Sequence, residues 1–191
     1  MCYIEGGKPE GSEKIEKGSR NQTPPEAEAK VELAYPLYFA KSKSKWGKGG
    51  VAFISHEKSK SVRTIGRMYL ITQEQFEDVV AQENNEEHFT IDVQEVMKHG
   101  YQDINSSWYG RILYLGNKDG APMLTFTNPL PMESEAFTVP PSSYLKIITR
   151  GLKELDIKME DILHYFNQCN GIKGHFTNEE LHKYIVNGER Q

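Results

Sequence analysis

The stretch from Leu37 to Asn84 constrains the fold of this chain most. It reads LYFAKSKSKWGKGGVAFI, then a polar turn, then IGRMYLITQEQFEDVVAQEN. The apolar and aromatic runs Leu37–Ala40 and Val51–Ile54 predict two short strands. Between them lie Trp46 and a cluster of Gly47, Gly49 and Gly50. Glycines just before a strand mark a bulge or tight turn, or a close approach of backbone to ligand. A phosphate loop is the wrong reading. Gly-Lys-Gly-Gly lacks the Lys-Ser/Thr ending, and a strand follows it rather than a helix. Ile65–Ile71 predicts a third strand. Thr72 with Gln75 then forms a capping-box signature, and Phe76, Val79 and Val80 give the next helix one apolar face. That helix closes in Gln82-Glu83-Asn84.

Further strands are expected at Phe89–Val93, Trp108–Leu115 and Met123–Phe126. Gly116-Asn117-Lys118-Asp119-Gly120 is a turn that pairs the last two as a hairpin. Ser142 or Ser143 is placed to cap a helix holding Tyr144, Ile147, Ile148 and Leu152. Met159, Ile162, Leu163 and Phe166 share one helical face, and that helix is expected to stop near Gly171. Thr177 with Glu180 is a second capping box, opening a helix that turns Leu181, Tyr184 and Ile185 inward. Residues 5–30, rich in Gly, Pro, Glu and Lys, read as loop.

Composition narrows the function. A chain of 191 residues has room for one domain with a proper core. A net charge of −4 and a pI near 5.9 speak against nucleic acid as a partner. Lys41, Lys43, Lys45 and Lys48 form a basic run, whose bland reading is a solvated loop and whose functional reading is anion recruitment. Cys2 and Cys169 are too few and too far apart for a disulfide framework. No apolar run is long enough to span a membrane and no signal peptide is evident, so a cytoplasmic protein is expected. His164, His175 and His182 lack metal-ligand spacing and no HExxH occurs, so neither a metal nor another cofactor is expected. No GxSxG occurs and neither cysteine has a nearby His signature, which argues against covalent acyl chemistry.

The order of Trp46, glycine cluster, strands, short helix and Glu83 resembles the gamma-glutamylcyclotransferase-like family. Downstream, Val139-Pro140-Pro141-Ser142-Ser143-Tyr144 and the helix after it resemble that family's Pro-Pro segment and Tyr at a helix start. The segment GGKPEGSEKIEKGSRNQTPPEA is similar to a loop in a bacterial branch. The likeness covers roughly residues 2 to 155. It implies an α+β fold: a small, mixed, curved β-barrel over residues 1–155, flanked by helices, with 1–30 loop-like. A C-terminal helical pair at 156–191 is expected as an appendage. The strands of 37–54 and 108–126 are then expected in one domain.

The resemblance gives Glu83 the role of general acid and base. A Glu at a helix end is otherwise most often a surface residue. It implies substrate contacts from Trp46, Gly47, Gly49, Gly50, Val51 and Tyr144, around a pocket that Glu83 faces. The bland alternative for Trp46 and Tyr144 is packing. The implied substrate is a small γ-glutamyl compound, cyclised to 5-oxoproline with release of an amine or amino acid. Ring closure of that kind needs no metal.

The sequence departs from the family in one respect. The family normally begins with a strand ending in a Tyr-Gly-Ser-Asn loop, whose amides hold the substrate's anionic end. No such tetrapeptide occurs here. Either the recorded start is too late, or this is a truncated relative. The expected barrel then lacks a strand, and self-association through the open edge is a further expectation. A non-catalytic relative that binds a small molecule or a protein is the alternative to the enzyme.

Overall fold

A computed structural model describes residues 2–188. The chain is of mixed α+β type and divides into two compact units. Unit 1 takes the chain up to Pro9, then Ile15–Ala29 and Met68–Met132. Unit 2 takes Glu10–Lys14, Lys30–Arg67 and the chain from Glu133 onward. The strands of 37–54 therefore fall in unit 2 and those of 108–126 in unit 1. Among the described residues the strands form small separate sheets, none closed into a barrel.

Unit 1 opens with α1 (Cys2–Glu5) and holds α2 (Gln73–Asn84), α3 (Val93–His99) and the sheet of β7 (Tyr101–Asp103), β8 (Arg111–Lys118) and β9 (Ala121–Thr127). The β8–β9 hairpin turns at Gly116–Gly120 as expected, with a register irregularity between Tyr114 and Gly116. Val80, Ile91, Val96 and Ile112 are the fully buried centre, with Phe76, Phe89, Leu124 and Phe126 around them. No strand forms at Phe89–Val93. Asp92 accepts the backbone N–H groups of Gln94 and Glu95, each at 3.1 Å, and so caps α3. Gly100, at φ 81°, stops that helix. The strand expected from Trp108 starts at Arg111 instead. Ahead of it, Ile104 donates to the Gly110 carbonyl at 2.7 Å and ties off a tight loop that leaves Trp108 exposed.

Two strands run through the division between the units. β1 (Ala27–Leu33) pairs with β6 (Thr64–Leu70), so the loop expected over 5–30 ends early. In unit 2, β2 (Leu37–Ala40) pairs antiparallel with β5 (Val51–Ile54), Leu37 opposite Ile54 and Ala40 opposite Val51. The segment joining them is itself a small hairpin of β3 (Lys43–Ser44) and β4 (Gly47–Lys48). Helices α4 (Ser142–Lys153), α5 (Met159–Phe166) and α6 (Asn178–Asn187) complete the unit. Pro141 holds the N-cap position of α4 without a side-chain bond, so neither Ser142 nor Ser143 caps it. The Thr177–Glu180 capping box on α6 is present in full. α5 ends at Phe166, ahead of Gly171. Gly171 instead lets two backbone segments come close. At φ 97°, any Cβ there would lie 2.8 Å from the Phe39 carbonyl oxygen. Phe39, Leu145, Ile162, Phe166, Ile172 and Leu181 form one fully buried cluster, so α5 and α6 share their core with β2 and α4.

Candidate functional site

Glu83 sits in the last turn of α2, in unit 1. The helix starts where the sequence places it: Thr72 accepts the Gln75 N–H at 3.1 Å, and the Gln75 side chain accepts the Thr72 N–H at 3.0 Å. It ends at Asn85, which adopts the left-handed conformation at φ 56°. One face of α2 turns Phe76 and Val80 into the apolar core.

A second face is buried and polar. Gln75, Asp78 and Gln82 are almost fully covered, and residues 17–23 lie along them. Gln75 donates to the carbonyls of Asn21 and Thr23, at 3.1 and 2.8 Å. Asp78 accepts the Arg20 backbone N–H at 2.7 Å. Gln82 accepts from Gly18 N–H at 3.1 Å and donates to the Tyr3 carbonyl at 2.9 Å. Each buried polar side chain thus meets a backbone group that would otherwise lose water without compensation. The spacing of 75, 78 and 82 was readable in the sequence, but a polar stripe at helical spacing looks the same whether it meets solvent or another segment.

This docking brings Tyr3 to Glu83. The Tyr3 hydroxyl donates to Glu83 Oε1. Glu83 is partly buried, and burial pushes its carboxyl up from 4.5 to about 7. The neighbouring Glu86 and Glu87 are exposed. Next to this face of α2 is an open pocket of about 320 Å³, bordered by Lys17, Arg20, Asp78, Gln82, Glu86 and His88. Glu83 is not among its lining residues.

The six residues expected to contact substrate all belong to unit 2, and several of them touch. Trp46 and Tyr144 are in ring contact, centroids 5.2 Å apart. The Tyr144 hydroxyl accepts the Ala52 N–H at 3.3 Å. Gly47, at φ 101°, pairs with Ser44 in the β3–β4 hairpin. The amide of Gly49 donates to the Ser42 carbonyl at 2.9 Å and that of Gly50 to the Val139 carbonyl at 3.1 Å. Any Cβ at Gly49 would lie 2.6 Å from the Val139 oxygen, and at Gly50 2.5 Å from the Thr138 oxygen. Close approach of residues 138–141 therefore explains both glycines. Val51 is buried in β5 opposite Ala40. The basic run is not all solvated: Lys41 makes a 2.7 Å ion pair with Glu135, both largely covered.

Among the described residues no group of three or more His, Cys, Asp or Glu is placed to hold a metal ion. No described helix is long and apolar enough to cross a membrane. Both cysteines are free, and burial pushes the Cys169 thiol up to about 12.

No family model matches the chain, and no solved structure matches it. The chain is similar to a protein of Arabidopsis thaliana named Histone deacetylase 5, with 30% identity over 170 residues. The match covers 81% of this chain and 26% of that protein, so the chain spans about a quarter of its relative's length.

Proposed function

We propose that this chain is a gamma-glutamylcyclotransferase-like protein in which Glu83 moves protons during cyclisation of a γ-glutamyl group to 5-oxoproline. The supporting observation is the Glu83 carboxyl, raised by burial to about 7 at the end of a well-capped helix. In the proposed reaction the α-amine of the γ-glutamyl group attacks its own γ-carbonyl. It arrives as an ammonium, so Glu83 first takes a proton from it. Glu83 returns that proton to the leaving nitrogen as its C–N bond breaks, and the second proton, shed by the ring nitrogen as the lactam forms, leaves the released amine as an ammonium and Glu83 again as a carboxylate. A carboxyl with a pKa near working pH suits both transfers. The substrate-contact roles of Trp46, Gly47, Gly49, Gly50, Val51 and Tyr144 rest on the family resemblance and belong to the same proposal. So do cytoplasmic location, self-association through an open strand edge, and the family's curved barrel.

The test is release of 5-oxoproline from a panel of γ-glutamyl amines and amino acids. Native protein is expected to turn over at least one of them. Glu83→Gln, which keeps shape but cannot shuttle a proton, is expected to abolish turnover, while Glu86→Gln and Glu87→Gln retain it. Full activity in Glu83→Gln overturns the assignment. The second reading is a non-catalytic relative that binds a small molecule or a protein. It is favoured by the pocket beside α2, whose lining does not include Glu83. Saturable binding of a γ-glutamyl compound without product supports that reading.

A further inference from the structure

We propose that Tyr3 is a positioning residue for Glu83, holding the carboxylate in one orientation and setting its affinity for a proton. The catalytic meaning of this pairing rests on the function proposed above; the pairing itself does not.

The geometry behind it has two parts. The first is the direct bond, in which the Tyr3 hydroxyl donates to Glu83 Oε1. A donor to the charged form favours that form, so Tyr3 opposes the effect of burial. The second is the way the backbone of Tyr3 is fixed. Its carbonyl accepts from the Gln82 side-chain amide at 2.9 Å and from the Ser19 hydroxyl at 3.1 Å. Gln82 is the residue immediately before Glu83, so one helical turn anchors both ends of Tyr3. The next residue, Ile4, accepts the Ser19 N–H at 2.9 Å. Gly18 permits this closeness. At φ 84°, any Cβ it carried would lie 2.6 Å from the Gly6 nitrogen and 2.9 Å from the Ile4 oxygen.

Other ionisable groups on the packed elements have assigned partners. Asp78 is bound to Arg20, and Glu77 accepts from Ile91 N–H and Gln73. Glu74 lies 3.6 Å from Arg20. Cys2 and Glu5 are the remaining titratable groups of α1, and Lys17 and His88 border the nearby pocket.

The experiment is a carboxyl NMR titration of protein carrying ¹³C-labelled glutamate. Glu83→Gln identifies the resonance of Glu83 by its loss. In Tyr3→Phe, which keeps the backbone anchors, the Glu83 midpoint is expected to rise by about one pH unit, with the melting temperature nearly unchanged. Gly18→Ala, which displaces the segment without touching either side chain, is expected to move the midpoint the same way. If native protein releases 5-oxoproline, Tyr3→Phe should lower kcat and shift the pH–rate profile upward, with KM little altered. An unchanged Glu83 midpoint in Tyr3→Phe overturns the proposal, and so does a lowered melting temperature with the midpoint unmoved. Absence of product from native protein removes the cyclotransferase reading, whereas the titration alone decides the pairing.

Discussion

Asp78 holds Arg20 through both the backbone and the side chain. One carboxylate oxygen accepts the Arg20 backbone N–H at 2.7 Å, and the other accepts Nε at 2.9 Å. The Asp78 side chain is nearly covered, whereas that of Arg20 is half exposed. The backbone bond is therefore the more protected of the two. Asp78→Ala should lower the melting temperature clearly, because it removes the acceptor of the Arg20 N–H together with the ion pair. Arg20→Ala should lower it less, since the backbone bond survives. Equal losses from the two variants, read by differential scanning calorimetry, would mean that the exposed ion pair matters as much as the backbone bond.

Glu83 links stability to pH. Its carboxyl titrates near 7 when folded, against 4.5 ordinarily. Between those values the folded state keeps a proton that the unfolded state has released. The native chain should therefore be relatively most stable below 4.5, lose stability as pH rises towards 7, and level off above it. The slope attributable to this group is at most about 1.4 kcal/mol per pH unit, and partial exposure reduces it. Urea unfolding of native protein and Glu83→Gln across pH 4.5 to 7 measures it by difference. Parallel curves would show that Glu83 is not held in a desolvated place.

Part of this arrangement was legible in the sequence. Thr72 with Gln75 and Thr177 with Glu180 start helices where their spacing says, because capping is decided by a few adjacent residues. Leu37–Ala40 and Val51–Ile54 are strands at the expected bounds, because a short apolar run between turn residues has few other uses. Phe89–Val93 misled because Phe89, Ile91 and Val93 alternate like a strand while Asp92 and Glu95 spell a helix start. The cap prevailed, and Ile91 and Val96 both still reach the core. Tyr3 beside Glu83 had no sequence signal. The pairing depends on residues 17–23 docking along a polar helix face, a long-range event that no local pattern records.

The glycines of the Trp46 segment allow close approach and turn strain to be separated. Gly47 and Gly49 both have positive φ, at 101° and 127°. No atom lies within 4 Å of a Cβ at Gly47, whereas one at Gly49 would meet the Val139 oxygen at 2.6 Å. Gly47→Ala should cost about 1–2 kcal/mol from backbone strain alone. Gly49→Ala should cost roughly 1–3 kcal/mol more, because Val139 must move. Equal costs in denaturant unfolding would show that residues 138–141 do not press against this turn.

Phe166 tests whether the last two helices are part of the core of unit 2. It is fully buried, in one cluster with Phe39 of β2, Leu145 of α4 and Leu181 of α6. The bonding next to it is tight. Phe39 donates its N–H to the Asn170 carbonyl at 2.9 Å, and its own carbonyl accepts from Thr138 N–H at 3.0 Å. Removing the ring should cost about 3–5 kcal/mol, because the surrounding side chains cannot close the space fully. The loss should reach beyond α5. Amide hydrogen exchange at Phe39 should speed up in Phe166→Ala along with exchange in α5 and α6, since all draw on the same buried cluster. Faster exchange confined to residues 156–188, with Phe39 as protected as in the native chain, would mean that the helical pair opens by itself and contributes little to holding β2.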